Sequence, residues 1–159
     1  VFRPIAEQTA DIGMLGHGFT YGGHPVPAAV ALETLAIYDE IDLIGRVRAA
    51  APVLQAGLRR FADHPLVGET DGVGLLAVAE LVADRTARTP FDPKARVGAR
   101  LLEFALGEGL IVRALGDRVA FSPPLVIRPE EIADMFARFG RALDETWKWV
   151  RAEGLAGAA

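Results

Sequence analysis

The chain has no cysteine, so neither a disulfide framework nor a thiolate nucleophile is open to it. Lysine is almost as scarce, with Lys94 and Lys148 the two present. No apolar stretch runs for the ~20 residues a membrane span needs, because Glu33, Asp39, Glu40 and Asp42 interrupt the longest one. Basic tracts are missing as well. With a net charge of −4 and scattered arginines, the composition argues against nucleic acid as a partner. No GxSxG element occurs, which removes support for a serine hydrolase. The chain opens on Val1 and Phe2 with no Met and no charged segment followed by an apolar one. That start reads as truncated and without a signal peptide. These absences predict a soluble, cytoplasmic protein of ordinary globular kind.

What is present concentrates between residues 13 and 25. Five glycines lie from Gly13 to Gly23, around the run His17, Gly18, Phe19, Thr20, Tyr21, Gly22, Gly23, His24, Pro25. Glycine lets backbone N–H groups approach a ligand closely, and a helix opening at Pro25 would add first-turn donors and a partial positive charge. A phosphate would fit such a place. The motif lacks the lysine of a Walker loop and the strand and GxGxxG order of a dinucleotide site, so a plain loop-to-helix turn stands beside the anion reading.

The spacing of apolar residues sets the expected organisation. Residues 1–23 read as a short strand or irregular segment leading to the glycine loop. Pro25 and Pro27 then open a helix through Val30, Leu35, Ile41 and Ile44, with Pro52 as its break, to about Phe61. After His64 and Pro65, residues 67–82 predict two short strands about a tight Asp71–Gly72 turn, the stretch from Leu75 being a buried strand. A second helix is expected from Pro93 to Leu106, then a hairpin of residues 110–113 and 118–121 around Gly116 and Asp117. A last helix starts near Pro129, its first turn suited by Glu130 and Glu131. Its apolar face is Ile132, Met135, Phe136, Phe139, Leu143, Trp147 and Val150.

Three separated segments carry a family likeness. HGFTYGGHPVPAAVALETL, VGETDGVGLLAVAELV and GLIVRALGDRVAFSPPLVI together resemble class III aminotransferases, the omega-transaminase group of pyridoxal phosphate enzymes, over nearly the whole chain. The resemblance implies an α/β fold, pyridoxal-phosphate-dependent transferase fold type I. Residues 1–62 would be the end of the large cofactor-binding domain and residues 63–159 the small C-terminal α+β domain. It implies transfer of an amino group from an amine or amino acid to a keto acid such as pyruvate. It also implies a homodimer with the pyridoxal phosphate site at its interface. By the same resemblance Thr20, with Phe19 supplying an adjacent backbone donor, reaches the phosphate of the partner's cofactor. Gly22 stands where the family usually has Ser. The Schiff-base lysine lies upstream in such proteins, and neither Lys94 nor Lys148 sits in a matching motif, so no catalytic residue is assigned within the chain.

Arg113 is the other residue singled out. A guanidinium can meet a carboxylate through two parallel hydrogen bonds, and the resemblance makes this the mobile arginine that binds the acid substrate and swings away for an apolar amine. A surface ion pair with Asp117 or Glu108 is the alternative. Asp71 falls where the family often has Arg, which puts a standard intersubunit contact there in doubt. Ser122, Pro123, Pro124 and Leu125 form a rigid connection that shapes but does not react. His17 and His24 lack a third metal ligand at usable spacing, and no metal is expected. Their imidazoles serve loop backbone groups or a subunit contact. Two further readings remain: an aminomutase with the same cofactor and fold, and a non-catalytic dimerisation or binding module.

Overall fold

The computed structural model describes residues 2–13, 16 and 18–157, and the contacts fall into two units, 1–41 and 42–159. Among the described residues no helix is long and apolar enough to cross a membrane.

The first unit holds two helices, α1 (Phe2–Ile12) and α2 (Pro25–Glu40). α1 replaces the strand or irregular segment expected there. Pro4 sits in its first turn, where a missing N–H costs nothing, and Ala6, Glu7 and Gln8 are strong helix formers. The glycines and prolines that argued against helix all lie outside that stretch or at its start. α2 is apolar around its circumference yet has no buried residue. Val30, Leu32 and Leu35 all face outward.

The long helix expected from Pro25 to Phe61 is two helices. α2 ends at Glu40 and α3 runs Leu43–Arg59. The break falls at Asp42 rather than at Pro52. Asp42 adopts the left-handed region (φ 47°) and its carboxylate accepts from the Gly45 N–H at 3.2 Å, a conformation and a cap that suit Asp better than most residues. Pro52 stays inside α3. It is exposed, as is Arg48, so the carbonyl that loses its helical partner meets water.

The second unit, which includes α3, is built on a four-stranded antiparallel sheet in the order β1-β2-β4-β3. The strands are β1 (Val67–Val73), β2 (Leu76–Leu81), β3 (Arg113–Leu115) and β4 (Arg118–Phe121). The first hairpin turns at Gly74 and Leu75, not at Asp71 and Gly72, which lie within β1 opposite Val78 and Ala77. Gly74 takes φ 60°, where a side chain would be strained. The resulting register buries Leu75 and points Ala77, Ala79 and Leu81 inward; a one-residue slip would reverse that face. Gln55 of α3 donates to the carbonyls of Gly74 and Leu76, both at 3.0 Å, and pins the turn.

Between the hairpins, a short 3-10 turn (Pro93–Ala95) leads into α4 (Val97–Gly107), and α5 (Pro129–Ala152) closes the unit. The core lies between the sheet and helices α3, α4 and α5, with Leu54, Leu58, Ala79, Leu101, Val119 and Leu143 fully enclosed. Four phenylalanine rings join its parts. Phe139 of α5 meets Phe121 of β4 edge to face at 4.9 Å and Phe61 at 5.1 Å, and Phe136 lies 5.4 Å from Phe121. Such pairs add about 0.5–1.5 kcal/mol each beyond area burial. α5 begins as read from the sequence. Pro129 opens it, and the Glu131 carboxylate accepts from the Arg128 N–H at 2.8 Å, a contact made with its pKa held low by the Arg128 side chain.

α4 has no side-chain cap of its own; Asp117, from the turn joining β3 and β4, accepts from the Gly98 N–H at 2.8 Å. Gly98 is buried, and a Cβ there would lie 2.0 Å from the Gly116 carbonyl oxygen. Gly98→Ala is therefore expected to destabilise the fold by about 2–3 kcal/mol, read as a lowered midpoint in urea. A midpoint that does not move would show the hairpin yielding freely.

His64 holds the corner between α3 and β1. Its Nδ1 accepts from the Leu66 N–H at 3.2 Å, and Nε2 lies 3.3 Å from Asp144 of α5. Burial pushes its pKa below the ordinary 6.5, with Asp144 opposing. The unfolded chain then binds the proton more readily, so stability is full above about pH 6.5 and falls as pH drops from there towards the folded value. His64→Gln should flatten that limb of a plot of melting temperature against pH; an unchanged slope would remove His64 as its source.

Candidate functional site

The glycine segment closes on itself as a turn. The Gly22 N–H donates to the Phe19 carbonyl at 2.9 Å and the His24 N–H to Tyr21 at 3.1 Å. A Cβ at position 22 would stand 3.1 Å from that Phe19 oxygen, tight enough to account for glycine in so compact a turn. His24 caps α2, its Nδ1 accepting from the Val26 N–H at 3.2 Å. This is the backbone role expected of it. Among the described residues no group of His, Asp and Glu gathers as a metal site. His17 lies outside the described residues.

That capping changes the chemistry of the loop. The anion reading rested partly on free donors in the first turn of α2, and there are none. Pro25 and Pro27 carry no N–H, Val26 is held by His24, and Ala28 donates to the His24 carbonyl at 3.2 Å. What remains is the turn itself. Thr20 is exposed, and its hydroxyl and N–H have no hydrogen-bond partner among the described residues. What the loop offers is the Thr20 hydroxyl and N–H, with clear space over Gly18 and Gly23, a smaller donor set than the sequence implied. Phe19 and Tyr21 are both largely exposed, and the Tyr21 ring lies edge-on to His24 at 6.3 Å.

Arg113 begins β3, opposite Ala120, rather than ending a strand. The residues before it, 110–112, were expected in the strand but lie outside the ladder: Leu110 donates back to Ala105 at the end of α4 (2.8 Å), and the hairpin register starts only at Arg113. Both in-chain carboxylates considered as partners are otherwise engaged. Glu108 lies 2.6 Å from Arg141, and Asp117 accepts from Gly98. Arg113 is exposed and forms no ion pair among the described residues. It lies at the rim of an open hollow of about 450 Å³, shared with Val112, Phe121, Pro123 and Met135. An unpaired guanidinium beside an apolar hollow can take a carboxylate bidentately. Ser122, Pro123 and Pro124 line the same hollow as a non-helical connection, and Leu125 follows in a turn. Thr20 and Arg113 belong to different units.

The two lysines do not resemble a nucleophilic amine, which needs a lowered pKa. Lys148 lies 2.6 Å from Glu145 on the exposed face of α5, and that partner raises its pKa. Lys94 is exposed in the 3-10 turn. Asp71 accepts from the Gly72 N–H at 2.7 Å, a local contact on an outer strand. Sequence reasoning missed the ion network around Glu108, which joins α4 to Asp134, Arg138 and Arg141 of α5. Only the Asp134–Arg138 spacing of four signalled any part of it.

Comparison with known proteins agrees with this geometry. A family model described as aminotransferase class-III matches residues 4–143. The chain is 47% identical over 143 residues to the putrescine–pyruvate aminotransferase of Pseudomonas aeruginosa, covering 89% of this chain and 31% of that protein. It is 40% identical to the mitochondrial gamma aminobutyrate transaminase 1 of Solanum lycopersicum, covering 92% of this chain and 28% of the relative. Among solved structures, the omega transaminase of Pseudomonas jessenii in complex with PMP superposes with a TM-score of 0.84 at 46% identity, over 98% of this chain and 34% of that one. The chain thus spans about a third of the length of the proteins it matches, and over that length it has their fold. With a match over most of its length, the chain belongs to the class-III aminotransferase family.

Proposed function

We propose that the protein carrying this chain moves an amino group from an amine or amino acid to a keto acid, using pyridoxal 5'-phosphate, and that it works as a homodimer. The observation that carries the reading is the family match joined to Arg113, a guanidinium whose in-chain carboxylates are taken and which sits beside a hollow of substrate size. The cofactor, when bound, supplies the electron sink that lets a bond at the amine-bearing carbon break. This chain contributes binding. Thr20 offers its hydroxyl, and Phe19 the neighbouring main chain, to the phosphate; Arg113 orients the acid substrate by its carboxylate. The amine that attaches the cofactor comes from outside these residues, since Lys94 and Lys148 sit on solvated surfaces.

α2 is a surface left for the rest of the protein, or a partner subunit, to cover. A helix apolar on every side is normally a covered one, and this helix buries nothing within the chain. In domain terms the first unit is the end of the cofactor-binding domain. α3, by its packing on the sheet and α5, goes with the small domain it leads into.

In the full-length protein, Thr20→Ala should weaken cofactor binding about ten- to a hundredfold, as expected for losing one hydrogen bond to a charged group; spectroscopic titration with pyridoxal 5'-phosphate measures it, and an unchanged dissociation constant refutes the assignment. Arg113→Ala should lower kcat/KM for pyruvate by about tenfold or more while leaving an apolar amine such as benzylamine within about twofold. Equal losses on both substrates would assign Arg113 to the fold instead.

A further inference from the structure

We infer that Arg138 and Arg141 of α5 are positioning residues for Arg113, acting through Glu108; the inference rests on the role of Arg113 proposed above. The backbone leading to Arg113 is held at Leu110, whose N–H donates to Ala105 at 2.8 Å, but has no ladder partner beyond it. Residues 109–112 belong to no strand, Ile111 is 86% exposed, and β3 is a three-residue strand at the edge of the sheet. Open hollows flank the segment on either side of Met135, one of about 360 Å³ beside Gly109 and Leu110 and one of about 450 Å³ beside Ile111 to Arg113. Leu110 and Val112, each partly buried, lean on the core between them.

Contacts at the two ends of this connector add to that packing. Downstream, Arg113 pairs with Ala120. Upstream, Glu108 at the end of α4 is gripped twice from α5. The Arg141 Nε donates to its carboxylate at 2.6 Å, and the Arg138 Nη1 donates to its carbonyl oxygen at 2.7 Å. Arg138 is itself oriented by Asp134, whose carboxylate accepts from Nε at 2.7 Å. One fork thus joins a backbone atom of the connector's root to a long, well-buried helix. Exposed pairs of this kind add little to stability, but the planar guanidinium fixes direction. The clamp also keeps the Glu108 carboxylate on α5, five residues from a guanidinium it would otherwise be free to approach.

The consequence follows from population arithmetic. If the root of the connector moves freely, the fraction of molecules with Arg113 in the binding-competent place falls, and the apparent affinity for a carboxylate falls with it. An apolar amine, which does not use Arg113, is unaffected. A merely structural role would touch both substrates and the melting temperature.

The test uses the full-length protein loaded with pyridoxal 5'-phosphate, with Arg138→Met and Arg141→Met made singly and together, and each again in an Arg113→Ala background. The double variant is expected to raise KM for pyruvate about fivefold, with kcat and KM for benzylamine within about twofold, and to change nothing further once Arg113 is gone. An unchanged pyruvate KM, an equal change for both substrates, or the same added loss without Arg113 would overturn the inference. The two readings separate cleanly. If Arg113→Ala alone leaves pyruvate kinetics untouched, the carboxylate role fails and this inference falls with it. If that variant is impaired while the α5 variants are not, only the positioning role is overturned.

Discussion

The packing of α5 against the sheet is the constraint on which the second unit depends. Phe136 and Phe139 meet Phe121 and Phe61 in one aromatic cluster, so a single helix face ties the end of α3, the last strand and the core together. Gly57 of α3 and Gly140 of α5 lie close against rings of that cluster, which is how helices carrying such large side chains still approach. Because α5 is fixed in this way, the polar groups on its flanks have fixed positions too. Arg138, Arg141 and Asp144 reach Glu108 and His64 from a rigid base.

The distribution of charge follows from that frame. Glu80 and Arg118 face each other across β2 and β4 at 2.9 Å, on the side of the sheet away from the core, and Arg128 is met by both Glu130 and Glu131 at the start of α5. Each such pair is individually weak. Their collective effect is to leave particular groups without an in-chain partner, and where that happens beside a hollow the group is available to a ligand. Arg113 is in that position because the two carboxylates nearest in sequence serve other elements. Thr20 is available for a different reason: the prolines of α2 and the His24 cap leave the turn, not the helix, as the source of donors.

Much of this was legible in the chain itself. Pro129, the acidic first turn and the 3.6-residue spacing gave α5 and its buried face, and Gly116 with Asp117 placed the second hairpin, because each is a local preference that no tertiary contact opposes. The errors have equally specific causes. Residues 1–23 were averaged with the glycines that follow α1, hiding a short helix. Ile41 and Leu43 carry the apolar pattern straight across Asp42, so the break was assigned to the proline, which α3 tolerates on its exposed side. Asp71–Gly72 and Gly74 offer rival turns, and the burial of Leu75 with Gln55 on the turn carbonyls decides between them. At the site, residue identities came from motif likeness, whereas the engagement of Glu108 and Asp117 required knowing which helices lie beside them.

The sequence by itself determined the family, the motif residues Phe19, Thr20 and Arg113, and the apolar faces of the helices, since residue order and periodicity encode these directly. Tertiary structure alone decided which charges are satisfied and where Arg113 is anchored. Those depend on residues about thirty positions apart, such as Glu108 and Arg141, meeting across packed elements, and no local spacing records a distance that only the fold creates.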